Sequence, residues 1–397
     1  MKKKTIRDVE LKGKKVLVRV DFNVPLDVQT REISDDSRIR AVIPTIEYLI
    51  NKRCRVILCS HFGRPKGKVV EEMRLAPVAK RLSELLNLAV ASANDCIGAE
   101  VEQDISVLEP GRVLLLENLR FHPEEERNDP DFAKALAGLA DVYVNDAFGT
   151  AHRAHASTAG IANYLPAVAG FLIEKEIDFL GRALTDPSHP FAAITGGAKV
   201  SDKLALLENI LDKVDYMLIG GGMCCTFLKA QGHEVGRSNV ENDKLDLVLE
   251  LMGKAARADV QLLLPVDVVV AESFNGGVPF SVVTATEIPA SSFVMDIGTK
   301  TIELFNAALK KCKTVVWNGP MGVFEYPEFR NGTEAIAQQM AQLDATTILG
   351  GGSTAEAVDE LGLSDRMSHV STGGGATLEF LEGKTLPGVA VLQDKDG

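Results

Sequence analysis

Six Val/Ile/Leu-rich runs punctuate the chain, and each ends in a turn whose residue types differ between the two halves. In the first half VLVRVDFN, VILCSHFGR and VLLLENLR run out into Arg, His, Asp and Asn; in the second half AAITGGAK, YMLIGGG and TILGGG run out into glycines. Near-continuous apolar runs of this length read as strands buried on both faces of a parallel sheet, with ligands bound beyond their carboxyl ends. Strand-like runs alternate with helical patterns from Val16 to about Val144 and again from Phe191 to about Val370, which predicts βαβ units twice over. Between them Ile173, Ile177, Leu180 and Leu184 recur at helical spacing, with Glu174, Lys175, Glu176 and Asp178 on much of the other face. This predicts an amphipathic helix over 171–184, stopped by Thr185-Asp186-Pro187-Ser188-His189-Pro190. The expected fold is α/β: two doubly wound parallel-sheet, Rossmann-like lobes joined by a connecting helix.

Polar residues at the strand ends then give each lobe a chemistry. Arg19, Asp21 and Asn23 close the first strand, and Arg38 opens a predicted helix in SDDSRIRAVIPTI. His61, Gly63 and Arg64 follow the second strand, Arg120 the third, and Asp146 to His155, with Arg153 among them, the fourth. Strand ends of one sheet converge, so these arginines are expected to meet in one crevice without matching acids. Arginine's planar fork suits carboxylate and phosphate oxygens, so the expected ligand is a small polyanion. His152 and His155 have a spacing open to a metal, but no nearby carboxylate or cysteine completes a set; anion-facing or core histidines are expected instead.

The second half lacks both GxxxxGK[ST] and a clean GxGxxG, yet carries Gly196-Gly197, Gly220-Gly221-Gly222, Gly350-Gly351-Gly352 and Gly373-Gly374-Gly375. Glycine leaves no side chain between backbone N–H and a ligand, so these turns are expected to let the main chain approach a phosphorylated group. After Gly197 the spacing of Leu204, Leu207, Leu211 and Val214 predicts a helix with Lys199 and Lys203 in or near its first turns. Lysines there oppose the helix dipole by about 0.3–1 kcal/mol each unless an anion joins them. Glu325, in the turn after Thr314–Trp317, has the chemistry to accept from two ribose hydroxyls. A small polyanion on one lobe and a phosphorylated, bulky ligand on the other is the layout of a two-substrate phosphoryl-transfer enzyme.

Bulk properties narrow the setting. The 397 residues suit two or three domains, and 46% hydrophobic with 25% charged content suits an ordinary globular protein. A net charge of −12 and the absence of aromatics interleaved with basic residues argue against nucleic acid and anionic membranes as partners. The six cysteines form no CxxC and no regular framework, no secretory signal follows MKKKTIRDVELKGKK, and no run approaches a membrane span. The expected location is the cytoplasm.

Taken in order, VRVDFNVP, SRIRAVIPTI, SHFGRP, ENLRFH, DAFGTAHRAH, GGAKVSDK, GGGM, LPVD, DIGTKT, WNGPMGVFE and STGGGA resemble the motifs of phosphoglycerate kinases, from about residue 18 to 376. The resemblance implies a 3-phosphoglycerate domain over 1–170, a connecting helix over 171–185, a nucleotide domain over 186–375 and a segment 376–397 packing back on the first domain. It implies that Asp21, Phe22, Asn23, Arg38, His61, Phe62, Gly63, Arg64, Arg120 and Arg153 hold the acid. Gly196, Lys199, Lys203, Gly220, Gly298, Asn318, Pro320, Glu325, Gly351, Gly352, Ser353 and Thr354 would hold ATP or ADP, whose phosphates carry Mg²⁺. Arg38, Lys199, Gly351 and Gly374 would act on the phosphoryl group as it passes directly between 1,3-bisphosphoglycerate and ADP, with lobe closure and no phosphoenzyme, in a monomer. Ser353 stands where such kinases usually have a metal-associated aspartate, and with Glu356 it spells a capping box. Thr299 and Phe62 replace a usual proline and leucine, and Cys224-Cys225 is also atypical. A kinase for another phosphorylated hydroxy acid, and a weak nucleotide-binding regulatory protein motivated by Ser353, are the alternatives; retention of Arg38, Lys199 and Lys203 speaks against the second.

Overall fold

The computed structural model describes residues 2–27 and 29–395; the last two positions of the expected returning segment lie outside them. The chain forms two units, Met1–Asp178 with Thr385–Gly397 and Phe179–Lys384, so the division falls inside the helix Phe171–Thr185.

In the first unit the apolar runs form β1 (Lys15–Val20), β2 (Arg55–Cys59), β3 (Val90–Ser92), β4 (Val113–Leu115), β5 (Val142–Asp146) and β6 (Ala167–Ala169). They lie in the order β3-β4-β2-β1-β5-β6 and pair in parallel throughout. The helix Ser37–Asn51 covers the sheet with Ile39, Val42, Ile46 and Leu49, one face at helical spacing, against Val16, Val18 and Val56. Because the order departs in both directions from β1, the crevice beyond the ends of β1, β2, β4 and β5 is the natural ligand site.

The second unit repeats this plan with β7 (Phe191–Thr195), β8 (Tyr216–Ile219) and β9 (Gln261–Leu263) on one side, and β13 (Thr314–Asn318), β14 (Thr346–Gly350) and β15 (His369–Val370) on the other. The order β15-β14-β13-β7-β8-β9 is again all parallel, and Trp317, Phe305 and Leu349 fill the core. A feature absent from the sequence reading intervenes: β10 (Asp267–Ala271), β11 (Phe280–Thr284) and β12 (Phe293–Ile297) form a separate antiparallel sheet in the order β11-β10-β12.

The start of the returning segment differs from expectation. Residues 376–384 belong to the second unit, where the helix Gly375–Leu381 meets the helix Leu204–Ile210 and Asn209 Nδ2 donates to Leu381 O at 2.7 Å. The return to the first unit begins at Thr385: Asn145 Nδ2 donates to Gly388 O at 2.8 Å, and Lys3 Nζ donates to Leu392 O at 2.8 Å.

Asp146, wholly buried at the end of β5, accepts from the amides of Leu172 and Ile173 at 2.8 and 3.2 Å, satisfying the first turn of the helix that starts at Phe171. Burial pushes its carboxyl up to about 7, and does the same to Asp296 on β12. A carboxyl that ionises near 4 when unfolded but near 7 when folded keeps its proton longer in the native state, so stability falls as pH rises across that interval. A shift of this size is worth roughly 4 kcal/mol. Asp146→Asn is expected to flatten the stability–pH curve between about pH 4 and 7 in denaturant titrations; an unaltered slope counts against the assignment.

Candidate active site

In the first unit the sequence-selected residues gather around His61. Its buried imidazole Nδ1 lies 3.2 Å from Arg19 Nη2 and 3.8 Å from Asp21 Oδ1, while Arg38 Nη1 donates to Asp21 Oδ2 at 2.7 Å. Burial, then the charges of Arg19, Arg120, Arg153 and Arg38, hold the imidazole well below its ordinary pKa, so it is neutral at physiological pH. Arg120 is buried, its Nη1 donating to Gly63 O at 2.8 Å and its Nε facing Glu126 Oε1 at 3.1 Å. Arg153 Nε donates to His152 Nε2 at 3.2 Å, and Arg64 is exposed. The expectation of arginines without matching acids is therefore corrected: Asp21 and Glu126 pair with two of them.

Backbone and side chain divide the labour here. Asn23 Oδ1 accepts from Gly63 N at 2.8 Å, which ties the turn after β1 to the turn after β2. Phe22 and Phe62 have their rings in the hydrophobic core, so as side chains they support the site rather than line it. Residues missed by sequence reasoning lie beneath. Asn118 holds the amides of Phe62 and Arg120 through Oδ1, both at 3.1 Å. Ser157 accepts from Arg19 Nε at 2.9 Å and donates to the wholly buried Glu125 at 2.6 Å. The only sequence signal for Asn118 was its place in ENLRFH, beside an arginine that looked more reactive.

In the second unit the glycine turns fall into two kinds. At Gly196 an added Cβ would lie 2.1 Å from Pro320 O, and at Gly221 (φ +63°) 2.4 Å from Gly197 N. Gly220 faces the Met321 side chain, and Gly298 lies against the Asp267 carboxylate. The amides are spent likewise: Gly197 N donates to Pro320 O and Gly221 N to Met321 O, each at 3.0 Å. On the side where a Cβ would stand, these glycines serve close packing of one turn on another. Asp267 in turn accepts from Lys300 N and Thr301 N at 3.1 and 2.8 Å, capping the helix Thr299–Leu309 that Gly298 opens.

Gly351, Gly352 and Gly374 are of the other kind. The helix Gly352–Glu360 starts behind Gly351 (φ +89°) and the helix Gly375–Leu381 behind Gly374 (φ +52°), neither with a side-chain cap, and an added Cβ at Gly352 or Gly374 would meet open space. First-turn amides without a cap are suited to an anion. The capping box expected from Ser353 and Glu356 does not form, because Gly351 holds the cap position and Ser353 is already inside the helix, exposed. Thr354 is buried and accepts from Gly319 N at 2.7 Å, joining this helix to the turn after β13.

Lys203 donates to Asn318 Oδ1, and burial lowers its pKa; Asn318 Nδ2 is buried with no hydrogen-bond partner among the described residues. A buried amide donor left open beside Gly350 and Gly351 is a ready ligand contact. The helix expected after Gly197 begins only at Leu204, with Lys203 as its cap residue and Lys199 exposed in the preceding turn. Pro320 is half-buried at the mouth of its turn and Glu325 is exposed.

Comparison with known proteins agrees with this geometry. The family model described as phosphoglycerate kinase matches residues 6–384. Phosphoglycerate kinase of Moorella thermoacetica is 58% identical over 395 residues spanning all of both chains, and that of Pelotomaculum thermopropionicum is 57% identical over the same span. The structure of phosphoglycerate kinase from Coxiella burnetii matches with a TM-score of 0.89 at 44% identity, and that from Pyrococcus horikoshii with 0.85 at 35%, each covering 98% of both chains. Two all-parallel six-stranded sheets, basic strand ends in one unit and uncapped glycine-led helices in the other, joined to full-length identity of this degree, establish that the chain belongs to the phosphoglycerate kinase family.

Proposed function

We propose that the first unit holds 3-phosphoglycerate or 1,3-bisphosphoglycerate, the second holds ATP or ADP, and the phosphoryl group passes directly from one ligand to the other. One observation supports this above the rest: the neutral, buried His61 feels four guanidiniums, a density of positive charge suited to a small polyanion. Arg38, Arg64, Arg120, Arg153 and His61 are the groups proposed to receive it, with Asp21 and Asn23 orienting them.

From ATP, a carboxylate oxygen of the acid attacks the γ-phosphorus; the new O–P bond forms as the bond to the β-bridging oxygen breaks, and ADP leaves with that electron pair. The attacking oxygen is already anionic, so no general base is needed and no phosphoenzyme arises. What remains is to position two anions and neutralise the charge between them. Arg38, Lys199 and the amides behind Gly351 and Gly374 fill that role, with Asn318 Nδ2 as a further donor.

The residues present fit a metal that arrives on the nucleotide. Among the described residues, no group of three His, Cys, Asp or Glu ligand atoms gathers in the second unit, and Ser353 offers an exposed hydroxyl in the first turn of its helix. Mg²⁺ so held would draw charge from the phosphate oxygens. Ser353→Asp is expected to raise the ratio of ADP affinity with Mg²⁺ to affinity without it about five- to tenfold, as roughly 1 kcal/mol of new charge pairing would. Calorimetric titration with and without Mg²⁺ reads this; an unchanged ratio would place Ser353 away from the metal.

A coupled assay for ADP release from ATP with 3-phosphoglycerate and Mg²⁺ tests the whole reading, and turnover no better than buffer would remove it. A monomer belongs to the same proposal, as does a reducing, cytoplasmic compartment, which six free, buried cysteines support. No helix among the described residues is long and apolar enough to cross a membrane.

A further inference from the structure

Apart from the substrate groups, one cluster in the first unit brings three chemically different ligand atoms together. Asp95 and Cys96 lie in the bend after β3, and His122 ends the short turn Leu119–Phe121 after β4. Since β3 and β4 are paired neighbours, with Ser92 opposite Leu115, these bends adjoin. A carboxylate oxygen, Cys96 Sγ and a His122 ring nitrogen all lie within 4.8 Å of one another.

The cluster is held in place. Asp95 Oδ1 accepts from Cys96 N at 2.6 Å and lies 2.6 Å from His122 Nε2, Asp95 O accepts from Glu117 N at 3.2 Å, and the His122 ring leans on Phe132 at 5.3 Å. Its carboxylate is half-exposed and its imidazole partly so, while the thiol is buried, which makes a shallow site open to water with sulfur at its floor. Burial, then the negative charge of Asp95, holds the thiol above its ordinary pKa. A mixed S, N and O donor set with a position open to water suits a borderline-soft cation; Mg²⁺ and Ca²⁺ prefer oxygen alone.

We propose that Asp95, Cys96 and His122 bind a thiophilic divalent cation of the zinc type, with water as fourth ligand. Binding releases the thiol proton to solvent, and the imidazole binds through the Nε2 lone pair with its own proton on Nδ1. The same short turn carries Arg120, and Asn118 at its start holds Phe62. Occupancy is therefore expected to raise KM for the acid several-fold and leave KM for the nucleotide unchanged, a consequence that rests on the substrate assignment above.

Co²⁺ titration of the full chain tests the site independently of activity. One equivalent should produce a thiolate-to-cobalt charge-transfer band in the near ultraviolet, which Cys96→Ser abolishes. His122→Gln should weaken Co²⁺ at least about tenfold, a loss that even outer-shell partners cause. If Cys96→Ser fails to fold, the His122→Gln affinity decides alone. A missing band at one equivalent, a band that survives Cys96→Ser, or an unchanged His122→Gln affinity overturns the site. A normal band with no change in either KM keeps the site and removes only the coupling to the acid.

Discussion

Arg38→Ala is expected to lower kcat by about 10³-fold, the lower end for arginines that stabilise a phosphoryl group in transit. Arg38 is the second residue of the helix Ser37–Asn51, partly exposed, with one guanidinium nitrogen engaged by Asp21 and the rest of the fork available. Its side chain is not part of the core, so the substitution tests chemistry more than folding. Lysine at this position restores a charge but not the planar fork, and Arg38→Lys should recover only part of the loss. The deciding measurement is the split between kcat and KM for 3-phosphoglycerate. A kcat within a few-fold of the parent, with a raised KM, would make Arg38 a binding group alone.

The glycines supply the second large effect. Gly196→Ala and Gly221→Ala should each destabilise the chain by roughly 3 kcal/mol or more, because the new methyl would overlap backbone atoms that cannot turn aside. At Gly221 the positive φ adds strain to the overlap. Gly352→Ala should change stability by less than about 1 kcal/mol, since the site is open and alanine suits a helix better than glycine. Its cost is expected in nucleotide affinity instead, where a methyl stands between an amide and a phosphate. Urea denaturation of the three variants, beside ADP titration of the folded ones, separates packing glycines from ligand glycines. Equal midpoints for Gly196→Ala and the parent would show that the turns do not pack as described.

Several parts of the site were legible because the reactive group and its strand end are neighbours in sequence. Arg38, His61 and Arg120 could be chosen by type and position alone, and the close approach of Arg38 and Arg120 to His61 follows from strand order. Their pairings with acids could not, although Asp21 itself was chosen. Asp21 pairs with Arg38 across seventeen residues, and the Glu125–Ser157–Arg19 chain spans more than a hundred. The small antiparallel sheet was missed because β10 belongs to an almost unbroken apolar stretch, QLLLPVDVVVA, while β11 is largely exposed and lacks the buried-strand signature.

The local spellings that misled are equally instructive. Ser353-x-x-Glu356 is a sound helix-start signal, but β14 carries its pairing as far as Gly350 opposite Asn318, and Gly351 must turn the chain at once. The cap position is thereby taken before serine is reached. The predicted start at Gly197 fails in a similar way: Gly197 O is claimed by Met223 N at 3.0 Å, Val200 is drawn into the interior, and regular helix waits until Leu204.

By itself the sequence determined the class of fold, the number of parallel sheets, the joining helix and the placing of basic side chains in one half against glycine turns in the other. Those properties follow from hydrophobic period and residue type, which act over a few neighbouring positions. Tertiary structure alone decided which glycines stay open and which pack on another turn, which acids pair the arginines, and that residues 376–384 stay with the second unit. Each of those outcomes depends on atoms far apart in the chain competing for the same few ångströms, and spacing along the sequence holds no record of that competition.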